Sequence, residues 1–286
     1  MFKRIIDSYN KEIKDFPEVG PYSSSGLWTG AEKPYKDLKK RLENFGSDII
    51  SSGLSLSRDV INEERIGRYI TLWKRLLNLD LKFLEYPKKF GFKMVRFGDI
   101  STIGIATRFL YYASRINELT KSVIEIGGSF GGVPFHLFRD FDFKGLYIGF
   151  DLPHSLLLAK YFLTEMFPEK RFQFYGETVD KPDIILLPHF AIKDFKIKCD
   201  MVFNAHSLSE MGTLQIEEYI KQVERLSKKY FLHFNHEMQT TKKGEVKKNL
   251  NLSNLSIKMK RLYKQFEIFS GDDTLDYFEY LYVKNN

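Results

Sequence analysis

Three clusters in this 286-residue chain combine residue types and spacings that serve chemistry better than packing. The first is Glu125-Ile126-Gly127-Gly128-Ser129-Phe130-Gly131-Gly132, where glycines let the backbone turn tightly and approach a ligand without side-chain obstruction. A nicotinamide dinucleotide fingerprint requires glycine where Ser129 stands, and here an acid, Glu125, precedes the first glycine by two residues. The second cluster is Tyr147-Ile148-Gly149-Phe150-Asp151-Leu152-Pro153, an apolar run that ends in an acid 24 residues after Gly127. A carboxylate at the tip of such a strand can accept paired hydrogen bonds from the hydroxyls of a ribose. The third is Asn204-Ala205-His206-Ser207-Leu208-Ser209-Glu210-Met211, followed downstream by His233 and His236-Glu237. Histidine, with an ordinary pKa of ~6.5, is suited to taking a proton from a hydroxyl nucleophile.

These clusters need elements to hold them, and from residue 121 short β-rich runs alternate with helical ones. The pattern predicts strands over 122–126, 146–150, 200–204 and 230–234. Helices are expected over 133–138, 155–166 and 214–226, with Pro153 in a first turn and Thr213 as an N-cap. Residues 172–175 and 184–187 compete for the third strand, and the second is favoured because Pro188-His189 ends it abruptly. Strands over 266–269 and 277–283, joined through Ser270-Gly271-Asp272-Asp273, suggest an antiparallel edge. The expectation is an α/β fold: a Rossmann-like, mostly parallel sheet with an antiparallel C-terminal edge, helices on both faces and a ligand at the carboxyl ends of the strands. Before it, residues 1–100 read as a helical cap and 101–286 as the ligand-binding domain. A helix over 2–13 and another carrying Ile66, Ile70, Trp73 and Leu77 on one face are separated by turn chemistry at Pro21–Gly26 and Ser51–Gly53. Ile105, Phe109, Tyr112 and Ile116 mark a further helix that leads into the first strand.

The glycine loop with its early acid resembles the first motif of class I S-adenosylmethionine-dependent methyltransferases. Beyond it, the run from Asn204 to Met211 is similar to the N-x-H-S-x-x-E-M signature of the sugar O-methyltransferase family of bacterial surface-polysaccharide gene clusters, and Asp151-Leu152-Pro153 resembles that family too. The resemblance covers residues 100–240 well and the helical amino-terminal part in character only. It implies a class I methyltransferase fold, S-adenosyl-L-methionine as donor and S-adenosylhomocysteine as product. Glu125, Gly127, Gly128, Ser129, Gly131, Asp151, Leu152, Pro188 and His189 are then the expected donor site. The implied acceptor is a sugar, nucleotide sugar or glycan hydroxyl.

Methyl transfer to oxygen is an in-line displacement in which the protein chiefly aligns the reactants, with a base to remove the hydroxyl proton. His206, just beyond the fourth strand, is the first candidate for that base. Glu210, four residues on, is expected to orient it or to bind acceptor hydroxyls, and His236 is the second candidate. Alternation along the fifth strand makes His233 structural, as are His136 and His154. Few paired acids lie on this rim, so no metal is expected, and Asp272-Asp273 reads as a turn. Trp28, Tyr35, Tyr69 and Trp73 have the chemistry to stack on a sugar, although the helical spacing of Trp73 favours core.

Composition narrows the alternatives. A chain with 43% apolar residues, 26 Phe and 16 Tyr is a folded protein. One cysteine, Cys199, excludes an internal disulfide and finger-type zinc sites. Charges close to Met1 and the absence of a long uncharged apolar run argue against a signal peptide or membrane span, so a cytoplasmic location is expected. The net charge of +7 is concentrated in residues 242–264, with eight basic residues against Glu245 alone. That stretch is either a solvated surface or a contact for a phosphate on the acceptor. Nucleic-acid amino methylation is disfavoured because Asn204-Ala205-His206-Ser207 replaces the Asn/Asp-Pro-Pro-aromatic motif. A methyltransferase for another small molecule and a non-catalytic binding module are the remaining alternatives.

Overall fold

The computed structural model describes residues 1–23, 63–77, 80–92, 94–240, 246–248, 256–269 and 277–285, together with Lys33 and Leu42. Helices α1 (Phe2–Lys14) and α2 (Glu63–Leu77) precede a short hairpin of β1 (Val95–Phe97) and β2 (Ile100–Thr102). Helix α3 (Ala106–Leu119) leads into an alternating series: β3 (Ser122–Ile126), α4 (Gly132–Asp140), β4 (Leu146–Asp151), α5 (Pro153–Met166), β5 (Phe172–Phe174), β6 (Ile184–Pro188) and β7 (Cys199–Ala205). Then come α6 (Thr213–Leu226), β8 (Ser227–His236), the small pair β9 (Met238–Thr240) and β10 (Val246–Lys248), and the terminal strands β11 (Met259–Phe266) and β12 (Tyr277–Lys284).

Eight strands form one sheet in the order β11-β12-β8-β7-β3-β4-β6-β5. The strands from β8 to β5 run parallel, while β12 lies antiparallel between β8 and β11. This is the mostly parallel α/β sheet with an antiparallel C-terminal edge that strand and helix alternation predicts. The central strands read as continuous apolar runs because both faces are covered. Val123, Tyr147, Met201 and Phe203 pack in the cluster that includes side chains of α3, α4 and α5, whereas Ile124, Ile148, Ile185 and Val202 pack with α6. Alternation puts Glu125 on the face of Val123 and Tyr147, beside Gly149, its partner on β4.

Both candidates for the third strand are strands: β6 pairs with β4, and β5 lies outside it at the edge. Other expectations are revised. Residues 80–92 and 94–102 form short 3-10 turns and a hairpin instead of helix. Tyr86 secures the first part of this stretch to α4 through a 3.1 Å hydrogen bond with buried His136, whose Nδ1 lies 2.6 Å from Asp140. The N-cap of α6 is Gly212, with Thr213 the first helical residue. Strand β11 ends where a strand over 266–269 is expected to begin, because its apolar signal is masked by basic residues on an exposed edge. Trp73 is fully buried, in accord with a core role, and Tyr69 is buried with it. Trp28, Tyr35, the turns at 24–26 and 51–53, and Asp272-Asp273 lie outside the described residues, as do 242–245 and 249–255 of the basic stretch. Helix α1 is fastened to α5 by a buried group: Lys160 Nζ donates to Ser8 Oγ at 2.9 Å and to Glu12. Successive strands are added to one side of β3 as far as β6 and then to the other from β7, and the turns after β3, β4, β6 and β7 open onto one cleft at this switch point.

Candidate active site

The cleft consists of two adjoining hollows that share Gly127, Asp151 and Ser207. Its floor is the turn after β3. Gly127 has φ +81°, and its amide donates to Phe150 O at 2.8 Å. A Cβ at Gly127 would lie 2.3 Å from Ser207 Oγ, so glycine is required both by the backbone and by the neighbouring turn. Gly131, at φ +92°, caps α4, and a Cβ there would meet Leu163 of α5 at 2.9 Å. It serves the loop by packing, outside the lining of either hollow.

Asp151, at the tip of β4, sits where the hollows join. Its Oδ2 accepts from Ser129 N at 2.6 Å and its Oδ1 from Leu152 N at 2.7 Å. The Ser155 side chain also hydrogen-bonds the carboxyl, and the lone pairs left over can accept from a ligand hydroxyl. Burial pushes the carboxyl up to about 6, and the backbone donors oppose that rise. Glu125 is buried beneath the loop and accepts from Tyr147 Oη. Burial, opposed by Tyr147 and reinforced by the charge of Asp151, pushes Glu125 up to about 8. Gly128 and Ser129 line the larger hollow, and Ser129 Oγ is buried with no hydrogen-bond partner among the described residues.

The smaller hollow includes Leu152, His189, Met211 and Tyr219, with Pro21 and Ser23 of the segment after α1. Tyr22 ties that segment down: its carbonyl accepts from His189 Nε2 at 2.7 Å and its hydroxyl donates to Glu218 at 3.2 Å. Burial pulls His189 down to about 4. Pro188 pairs with Asp151 at the end of β6 and lies behind this wall.

Within the Asn204–Met211 run, several residues build the turn and one faces the cleft. Asn204 Nδ2 donates to Ile126 O at 2.8 Å and to Ser207 Oγ, and Asn235 Nδ2 donates to Asn204 Oδ1 at 2.9 Å. Ser209 Oγ donates to His206 O at 3.1 Å and lies 3.0 Å from His236 Nδ1. A hydroxyl has one proton, so His236 donates to Ser209 and supports the turn from behind. His206 lines the larger hollow beside Glu210. Its Nε2 lies 2.7 Å from Tyr112 Oη and 3.5 Å from Glu267 Oε2, and its ring centroid is 4.6 Å from that of Tyr277. His206 and Glu210 thus share one cavity. His236 is not part of either lining, and His233 is buried in a stack with Tyr280 at 4.5 Å.

Arg108, Tyr112, Glu267 and Tyr277 are site residues that the sequence does not mark as such. Arg108 and Tyr112 stand four apart on α3, the spacing that puts two side chains on one helix face, but the apolar stripe there suggested core. No local signal marks Glu267, which meets His206 only through the sheet. Among the described residues no group of three or more His, Cys, Asp or Glu is arranged to hold a metal ion, and no helix is long and apolar enough to cross a membrane.

No family model and no curated protein matches the chain. Solved structures similar to it include magnesium protoporphyrin IX methyltransferase of Synechocystis PCC 6803 with bound S-adenosylmethionine. It shows 10% identity over 88% of this chain and 100% of the other, with a TM-score of 0.44. The glycopeptide N-methyltransferase MtfA complexed with S-adenosylmethionine is 10% identical over 62% of this chain and 87% of its own, with a TM-score of 0.46. The YcgJ protein of Bacillus subtilis is 12% identical over 63% of this chain and 99% of its own, with a TM-score of 0.45.

Proposed function

We propose that this protein is an S-adenosylmethionine-dependent O-methyltransferase acting on a sugar hydroxyl of a surface-polysaccharide precursor or glycan, with residues 1–100 as cap and 101–286 as catalytic domain. The observation that carries the reading is the position of Asp151 between the two hollows. A nucleoside joined to an amino acid needs an enclosed pocket for the base, an acceptor pair for the ribose and a polar pocket for the amino acid. The cleft offers the wall of Leu152, His189 and Tyr219, then the Asp151 carboxylate, then Glu125, Gly128 and the unpartnered Ser129 hydroxyl. When bound, S-adenosylmethionine supplies an electrophilic methyl whose carbon–sulfur bond breaks as the acceptor oxygen's lone pair forms the new bond, leaving S-adenosylhomocysteine.

The chain's own residues then have separate tasks. The backbone amides of Ser129 and Leu152 fix the Asp151 carboxylate so that its remaining lone pairs meet the ribose. The 205–211 turn brings His206 to the rim beyond the glycine loop, and His206 takes the proton of the attacking hydroxyl before passing it to solvent. Glu210, in the same hollow, binds acceptor hydroxyls. The sugar itself rests on the similarity of Asn204–Met211 to the sugar O-methyltransferase signature. The test is transfer of a labelled methyl group to a panel of nucleotide sugars and lipid-linked glycans. Labelled product from a sugar acceptor is expected. Transfer only to small molecules without sugar hydroxyls would replace the acceptor class and leave the donor site standing.

A further inference from the structure

We propose that Glu267, delivered by the C-terminal strand pair, is the positioning residue for His206, holding its proton on Nε2 and so presenting Nδ1 as the base. This rests on the reading of His206 as the proton acceptor in methyl transfer.

The assignment follows from counting donors. The Glu267 side chain is fully buried. Burial alone would push its carboxyl up, but His206, Arg108 and Tyr112 outweigh burial and hold it below its ordinary value. An ionised carboxylate only accepts. The Tyr112 hydroxyl therefore gives its single proton to Glu267 Oε1, and burial keeps that hydroxyl protonated. With its proton committed, the Tyr112 oxygen can only accept across the 2.7 Å contact to His206 Nε2. A neutral imidazole carries one proton, so when Nε2–H is the donor, Nδ1 has the lone pair. The second carboxylate oxygen, Oε2, is buried with no hydrogen-bond partner among the described residues and lies 3.5 Å from the same Nε2. It is placed to stabilise the imidazolium formed when His206 takes the acceptor proton.

Other groups line the same hollow or pack on the imidazole. Arg108 and Tyr112 come from α3, Tyr277 from β12, Glu210 from the turn itself, and Glu125 and Asp151 from across the hollow. Arg108 Nε lies 3.4 Å from Glu267 Oε1 and opposes protonation of the imidazole, while the Glu267 carboxylate favours it. Glu267 Oε2 lies within ion-pair distance of Nε2, at 3.5 Å, which makes it the orienting acid.

Nitrogen-15 NMR of the full-length protein labelled at histidine tests this without an acceptor, with His206→Gln assigning the resonance. Neutral His206 is expected to carry its proton on Nε2. Its titration midpoint is expected to fall by about one pH unit or more in Glu267→Gln, as befits loss of an opposite charge at this range. A proton on Nδ1 in the wild-type protein overturns the proposal, as does an unchanged midpoint in folded Glu267→Gln. If that variant does not fold, Tyr112→Phe takes its place. It leaves the carboxylate, so Nε2 should remain protonated, and a switch to the Nδ1–H form would contradict the role of Glu267. Neither readout uses the donor. A protein that fails here yet binds S-adenosylmethionine loses only the positioning role, whereas an intact relay without donor binding removes the methyl-transfer reading.

Discussion

His206 has a backbone conformation, φ +61°, that costs a non-glycine residue on the order of 1–3 kcal/mol. The turn sustains it through His206 N donating to Phe234 O at 2.7 Å and Ser209 Oγ donating to His206 O at 3.1 Å. Strain of this kind, held at a cleft rim, fits the proposed role of His206. Two outcomes follow. His206→Gly should leave the fold about 1 kcal/mol more stable than His206→Ala in denaturant unfolding, since glycine accepts positive φ. His206→Ala should lower methyl transfer by roughly a hundredfold while donor affinity changes little, and full turnover in that variant would remove His206 as base.

At the scale of elements, the sheet brings together what the chain separates. The glycine loop and Asp151 were legible because each belongs to a local strand-to-turn pattern, and the Asn204–Met211 run was legible as a motif. Its internal logic was not: Asn204, Ser207 and Ser209 fasten the turn, and His236 supports it, through contacts between neighbouring strands. Strand β11 escaped notice because Lys260, Arg261 and Lys264 occupy an exposed edge, where alternation of apolar residues is not required. The segment after α1 read only as a turn, yet Tyr22 fixes it as a wall of the smaller hollow. Tyr22→Ala removes the hydroxyl bond to Glu218 and the edge contact with Tyr219 at 5.7 Å. Donor affinity should weaken by about 1 kcal/mol, measured by calorimetry. Unchanged affinity would separate this segment from the donor site.

Across the whole molecule, charge is arranged unevenly. Part of the basic excess lies on β11, where Lys264 pairs with Glu237 at 2.8 Å and lies over the Phe278 ring at 3.9 Å. Lys264 is thereby tied into the packing of the strand edge. Buried acids under the glycine loop give the pH response. Glu125 has a folded pKa raised to about 8, so the stability tied to its protonated form is full below its unfolded value and is lost as pH rises through about 8. The buried histidines shift the other way, His136 and His189 to about 4 and His233 to about 3. They therefore affect stability mainly below pH ~6.5. Comparing wild type with Glu125→Gln isolates the acid: the difference in unfolding free energy should move against the wild type from pH 6.5 to 8, by up to ~1.4 kcal/mol per pH unit. A flat difference would show that Glu125 is not held protonated.

In the proposed site Asp151 joins the two hollows into one S-adenosylmethionine pocket. Calorimetric titration of the donor into wild type and Asp151→Ala tests it directly. The wild-type protein should bind, and loss of the charge-assisted ribose bonds should weaken the variant by ~2 kcal/mol or more. Equal dissociation constants for the two folded proteins, or no binding by the wild type, would contradict the account.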